Sequence, residues 1–290
     1  MIQGFIEREY ESSFADGTEP RLLSASNIHL DFSHHTRTLH KHNDRCELIF
    51  VRYGSSRYVV GNKAYPIKKG DMIINNSGVL HDDLLEKEES VAYYALGIGD
   101  LKLNGLEENH IIADGICPVI PTEEHYNVFN NMFRAIYEFI VSNEPGTEET
   151  CHYLMKSAIS LVLHLVRTAE SSEESKSDSA LIADLLHYLD ENYMHDISLK
   201  SVSEQFHISS YHLAHLFKEQ TGYSPMNYII RRRIGEAQTL LITTKDSITS
   251  IAGRVGFANP NNFNVQFQKQ VGLSPRQYRK VYVAEGSLKK

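Results

Sequence analysis

The sequence predicts a multidomain fold of mixed class: an all-β N-terminal unit, two helices after it, and an all-α C-terminal unit. Three observations carry this. Short β-branched and aromatic runs fill residues 21–120, and an apolar period of three and four takes over after Pro121. The phrase FKEQTGYSPMNY (Phe217–Tyr228) then returns fifty positions later as FQKQVGLSPRQY (Phe267–Tyr278).

The β-rich runs are RCELIFVRY, SRYVVG, KAYPI, DMIIN and SVAYYALGIG, separated by Gly, Asn and Asp turns. Such spacing suggests a sandwich or barrel rather than βαβ units. Tyr126, Phe129, Met132, Phe133, Ile136, Phe139 and Ile140 then mark one face of a helix that stops near NEPG. Leu154, Met155, Ala158, Ile159, Leu161, Val162 and Leu165 mark a second. The polar stretch ESSEESKSDS (Glu170–Ser179) reads as a linker. The expected division is 1–121 for the β unit, 122–169 for a helical segment, 170–179 for the linker and 180–290 for the helical unit. The helical segment either packs on the β unit or pairs with a second subunit.

Beyond the linker, helices are predicted near 180–194, 198–205, 209–220, 224–243, 247–255, 260–271 and 274–283. Ser224-Pro225 and Ser274-Pro275 each place a capping hydroxyl before a proline at the first helical position. Gly222 and Gly272 sit where the preceding helix should end in a left-handed residue. Each repeat is therefore a short helix, a turn, a second helix and a stop. The copies read LKSVSEQF-HIS-SYHLAHLFKEQTG and ITSIAGRVGF-ANP-NNFNVQFQKQVG, and the second turn is one residue longer. Ser203 and Ala252 are small where two helices of a helix-turn-helix must cross.

Charge supports a nucleic-acid role that the net value of −8 hides. Residues 197–290 carry +8 and residues 1–196 carry −16. In the first repeat Leu213, Leu216 and Phe217 point inward, leaving Tyr211, Ala214, His215 and Lys218 on the open face. In the second, Phe263 and Phe267 point inward and leave Asn261, Asn262, Asn264, Val265 and Gln268 outside. Asn and Gln can pair bidentately with adenine and Lys suits phosphate or guanine, so both faces fit a DNA major groove.

Residues 181–282 resemble the DNA-binding domain of AraC/XylS-type transcription regulators, most specifically through IAGRVGFANPNNFNVQFQKQVGLSPRQYR. The resemblance implies two helix-turn-helix subdomains joined by a long helix from Pro225 to about Ile242. It implies base contacts from Tyr211, Ala214 and His215 in one reader and from Asn261, Asn262 and Val265 in the other. Ser210 and Asn259, with Lys218, Asn264 and Gln268, complete the candidate DNA-contacting set. Family members often carry Arg at the positions of His215 and Val265, and Lys at that of Gln268. Guanine reading by Arg is thus absent from the second reader, and a moderate salt dependence is expected.

In the β unit, His40, His42, Glu47 and Gly54 form H-x-H-x4-E-x6-G, and Gly70, Gly78 and His81 form G-x7-G-x2-H. Together they resemble both motifs of a cupin-like barrel, with Asn76 in place of a usual Pro and Leu85 in place of a usual Asn. His40 and His42, two apart on a strand, face one side, and a barrel can bring Glu47 and His81 to meet them. These four are the candidate ligand-binding residues, and three imidazoles with a carboxylate could also hold a divalent transition metal. The other reading makes His81 a hydrogen-bonded barrel residue. His34, His35 and His110 lie near loops and read as solvated.

Hydrophobic residues make up 41% and charged residues 23%, as in ordered soluble proteins. No apolar run is long enough to span a bilayer, and the first residues lack the pattern of a secretion signal. Cys46, Cys117 and Cys151 are scattered without CxxC and read as reduced thiols of a cytoplasmic protein. The expected function is a ligand-responsive transcription regulator, an activator, rather than an enzyme. Its expected partners are double-stranded DNA, a small-molecule effector with a sugar among the candidates, RNA polymerase and a second copy of the chain, with no membrane. Two rival readings are a metal-dependent cupin isomerase or oxygenase fused to a DNA-binding module, and a constitutive DNA-binding protein with a vestigial barrel.

Overall fold

Alternating β-branched and aromatic residues give the first half of the chain two buried strand faces. The computed structural model describes residues 9–31, 38–85, 89–169 and 179–287. Its strands are β1 (Arg21–Asp31), β2 (Cys46–Val60), β3 (Lys63–Lys68), β4 (Asp71–Asn75), β5 (His81–Leu84), β6 (Ser90–Gly99) and β7 (Val119–Pro121). They run antiparallel in the order β1-β6-β2-β4-β7, and β3 and β5 both pair with the far half of β2.

RCELIFVRY and SRYVVG, expected as two strands, are the single strand β2. Its register against β6 shifts between Val51 and Tyr53, and Gly54 follows at φ 77°. A Cβ at Gly54 would lie 2.0 Å from the Ser90 carbonyl oxygen, so only glycine lets the strand cross there. The strand bends at this point and continues into a second sheet instead of turning back.

Period-two alternation then sorts the strand residues. Cys46, Leu48 and Phe50 of β2, with Met72, Ile74, Tyr94, Leu96 and Ile98, face the helices. Ile49, Val51, Tyr58 and Val60, with Ile67, Ile73, Val91 and Tyr93, face the interior between the sheets. Helices α1 (Tyr126–Ser142) and α2 (Glu148–Ala169) lay Phe129, Phe133, Ile136, Met155, Ile159 and Val162 on the first of these faces. Their apolar stripes therefore complete the core of the β unit.

Of the expected linker, Glu170–Asp178 lies outside the described residues, and Ser179 opens α3 (Ser179–Asn192). The chain continues through α4 (Leu199–Gln205), α5 (Ser210–Thr221), α6 (Pro225–Thr243), α7 (Ile248–Arg254), α8 (Pro260–Val271) and α9 (Pro275–Ser287). Ser198, Ser209, Ser224 and Ser247 each accept a backbone N–H of the helix they open. Gly222 and Gly272 both stand at φ 79° and donate their N–H groups to Lys218 and Gln268. The repeated phrase is thus the stop of one helix and the start of the next, in both copies.

The two copies differ in what surrounds them. The core of the second, built on Phe263, Phe267, Ile251 and Tyr278, is drawn from its own helices. The core of the first, built on Leu213, Phe217, Val202 and Tyr228, also takes in Leu39, Val59 and Leu80 of the β unit.

Candidate functional site

Strand pairing brings the four residues of the two N-terminal motifs together. His40 and His81 exchange backbone hydrogen bonds at 3.1 and 2.9 Å, which sets their side chains next to each other. Their ring centroids are 4.3 Å apart, and His42 lies 5.0 Å from His40 and 5.6 Å from His81. Glu47 arrives from β2, with its oxygens 3.2 Å from His42 Nε2 and 3.3 Å from His81 Nε2. Nitrogens of His40, His42 and His81 all lie within 4.8 Å of one another.

Backbone carbonyls orient two of these rings. His40 Nδ1 bonds Thr38 O at 2.7 Å and His81 Nδ1 bonds Val79 O at 2.9 Å. A carbonyl only accepts, so each Nδ1 carries the proton and Nε2 is turned toward the cluster. Burial pushes the Glu47 carboxyl up, but His42 and His81 outweigh it and hold the group well below the usual carboxylate range.

Around the cluster lie polar residues that sequence reasoning missed. Asn75, opposite Glu47 in the β2–β4 register, donates to Tyr58 Oη at 3.1 Å. Tyr93 Oη donates to Asp83 at 2.7 Å, and burial pushes the Asp83 carboxyl up to about 7 against that bond. Asn75 Oδ1 and Asp83 Oδ1 are buried without hydrogen-bond partners among the described residues. Asn75 could have been found from alternation, because it shares a face with Ile73 and so points inward. Asn76, which replaces the usual proline, ties the barrel end to the Ile111–Ile112 loop through bonds of 2.8 and 2.9 Å. His110 lies 3.9 Å from Glu107, and His34 and His35 fall outside the described residues.

A separate cleft of about 510 Å³ opens between the start of β1 and the α1–α2 turn. Its main ionic groups are already matched, Glu19 with His152 at 3.0 Å and with Lys156 at 3.6 Å. The convergent donors of the barrel make the better ligand site.

The segments carrying the histidines also touch the helical unit. Asp82 accepts two bonds from Arg231 at 2.6 and 2.9 Å and one from Tyr223 Oη at 2.9 Å. Arg231 also donates to Gln270 on α8 at 2.9 Å. Thr38 donates its N–H to Gln238 at 3.0 Å, and Lys41 reaches Asp190 at 2.8 Å, where Arg232 also binds at 2.7 Å. A Cβ at Gly235 would stand 2.2 Å from Leu39 O, so α6 needs glycine to approach this closely.

The two helix faces expected to meet DNA are open, as their apolar spacing implies. Tyr211 is 83% and Val265 63% exposed, and His215, Lys218, Asn261, Asn262, Asn264 and Gln268 are exposed with them. Ala214 is half-buried. Ser210 shares a hydrogen bond of 2.8 Å with Ser203, and Asn259 caps α8 by accepting from Asn261 N at 2.8 Å. Both therefore have local structural work at the helix starts. Arg231, Arg232 and Arg233 were counted in the basic surplus of this half, yet Asp82, Asp190 and the carbonyls of Tyr193 and His195 hold them internally.

Comparison with known proteins follows the same division. Residues 26–189 match the AraC-like ligand binding domain, and residues 202–281 match a helix-turn-helix domain. The chain is 27% identical over 288 residues to the uncharacterized HTH-type transcriptional regulator YdiP of Escherichia coli K12, covering 97% of this chain and 93% of the relative. It is 26% identical over 247 residues to the HTH-type transcriptional activator RhaS of Klebsiella pneumoniae, covering 82% and 86%. Among solved structures, ToxT from Vibrio cholerae O395 aligns with 89% of this chain and 97% of its own at 13% identity and a TM-score of 0.42.

Proposed function

The chain belongs to the AraC family of transcriptional regulators, with a ligand-binding and a DNA-binding domain, and from that premise we propose that it is an effector-controlled activator. Its relatives are regulators rather than enzymes. No helix among the described residues is long and apolar enough to cross a membrane.

The effector is a small polyhydroxylated molecule, a sugar being the first class to test, bound in the barrel at the cluster of His40, His42, Glu47 and His81. The partnerless oxygens of Asn75 and Asp83 support this class, because hydroxyls can donate to both. Tyr211, Ala214, His215 and Lys218 read one groove segment. Asn261, Asn262, Asn264, Val265 and Gln268 read the next, and Ser210 and Asn259 add contacts at the helix starts. Activation proceeds through contact with RNA polymerase, in line with the activator named among the relatives. A homodimer forms through the outer faces of α1 and α2, where Val128, Val141 and Tyr153 are 48%, 63% and 58% exposed.

One observation carries the proposal: the sensor and the readers are joined by buried polar contacts, Asp82 to Arg231 and Arg231 to Gln270 on the second reader. A ligand that favours one arrangement of the barrel can thereby shift the readers. A DNA-protection assay on the region upstream of the chain's own gene, run across a panel of sugars, tests this. Protection that one sugar strengthens or moves is the expected result, and no protection under any condition would overturn the reading.

A further inference from the structure

We propose that His40, His42, Glu47 and His81 hold a divalent transition-metal ion, and that this ion fixes the two chain segments through which the sensor grips the DNA-binding helices. The inference rests on the barrel being the sensor.

The donor geometry comes first. His81 is 2% exposed, and its Nε2 is buried without a hydrogen-bond partner among the described residues. Glu47 Oε2 lies only 3.3 Å from it, close enough for an ion pair but not aligned for a hydrogen bond. His81 Nε2 and the Glu47 carboxylate thus face one point without a hydrogen bond joining them. A divalent cation at that point would bond both.

Metal ligands meet the need directly. Bonds of about 2.1 Å place neighbouring ligand atoms roughly 3.0–3.4 Å apart, depending on coordination number. The separations of 3.2 Å from His42 and 3.3 Å from His81 to Glu47 fall in that range. The Nδ1 bonds to Thr38 O and Val79 O are the outer contacts that orient ligating imidazoles. Three nitrogens and one carboxylate suit manganese, iron, cobalt, nickel or zinc rather than magnesium or calcium.

The second part follows from chain connectivity. His40 is flanked by Leu39, whose carbonyl meets Gly235, and by Lys41, which pairs with Asp190. Two residues before it, Thr38 bonds Gln238. His81 is followed directly by Asp82, the partner of Arg231 and Tyr223. An ion bridging His40 and His81 therefore pins both grips at once. Where DNA binds the docked and released arrangements unequally, the ion's preference for docking changes DNA affinity.

The test uses the full chain, stripped with a chelator and then equilibrated separately with Mn, Fe, Co, Ni and Zn. One ion per chain is expected for at least one of them, with affinity falling about 10-fold or more in His42→Ala and in the near-isosteric Glu47→Gln. Loading should slow hydrogen exchange in residues 38–42 and in α6. It should also change affinity for the chain's own upstream DNA about fivefold or more. Asp82→Asn should bind the ion as the parent does but lose that change. DNA binding with no stoichiometric ion would overturn the metal site and leave the regulator standing. A bound ion without altered exchange or DNA affinity would overturn the coupling. Failure to bind DNA with or without metal would instead overturn the regulator reading.

Discussion

Asp82 and Arg231 form a two-point ion pair across the boundary between sensor and DNA-binding helices, with side chains 0% and 8% exposed. The residues are 149 positions apart in sequence. Tyr223 Oη supplies a third contact to the carboxylate, and Gln270 takes another guanidinium donor. The charges are thus nearly satisfied away from water, which makes the pair costly to break from one side.

Asp82→Ala is expected to destabilise the protein by about 3–5 kcal/mol, because it leaves Arg231 buried and uncompensated. Replacing both partners with apolar residues, Asp82→Leu with Arg231→Met, should cost less than the two single changes together. Urea unfolding of the four proteins measures this. A double variant as unstable as the sum of the singles would show that the pair is not the coupling element.

Asp190 gives the second grip a distinct pH signature. Burial raises its carboxyl pKa, but Lys41 and Arg232 bring it below the ordinary value. A depressed folded-state pKa contributes stability above the unfolded value of about 3.9, and that stability is lost as pH falls through the folded value. Asp190→Asn should therefore destabilise by about 3 kcal/mol evenly between pH 5 and 8, with the deficit shrinking below about pH 4. Unfolding midpoints of the variant and parent across that range provide the check.

The two readers should fail in different ways. Asn261→Ala is expected to lose about 1–3 kcal/mol and to relax preference at one base position, as loss of a base contact does. Lys218→Ala should weaken all sequences alike and lower the salt slope by about one unit. Binding-site selection with randomised DNA separates these outcomes.

What the sequence reveals here depends on range. The caps at Ser224 and Ser274 and the turns at Gly222 and Gly272 are local features, and they are legible because a residue and its neighbours decide them. His40, His42, Glu47 and His81 are legible by spacing, since alternation places the first two on one face. The Asp82–Arg231 and Thr38–Gln238 contacts have no such signature, joining residues 149 and 200 apart that break no periodic pattern. Gly54 misled for the opposite reason: a glycine between two apolar runs reads as a turn, whereas here it lets one strand pass from sheet to sheet. The arginines of α6 misled as well, because a charge count carries no information on which way a helix face points.

That last point bears on salt. Arg231, Arg232 and Arg233 bond to Asp82, Asp190, Tyr193 and His195, so three of the cations in the basic half are spent inside the protein. Arg254 is paired with Asp246 as well. The exposed positions of the second recognition helix are mostly Asn, Gln and Val, which can read bases but release few counterions. The slope of log K against log salt is therefore expected near −4, well short of about −9 for ten phosphate contacts. Fluorescence anisotropy with a fixed DNA duplex from about 50 to 300 mM salt measures it. A slope near −9 would overturn this expectation, since even the release of all three α6 arginines would add only about −2.7.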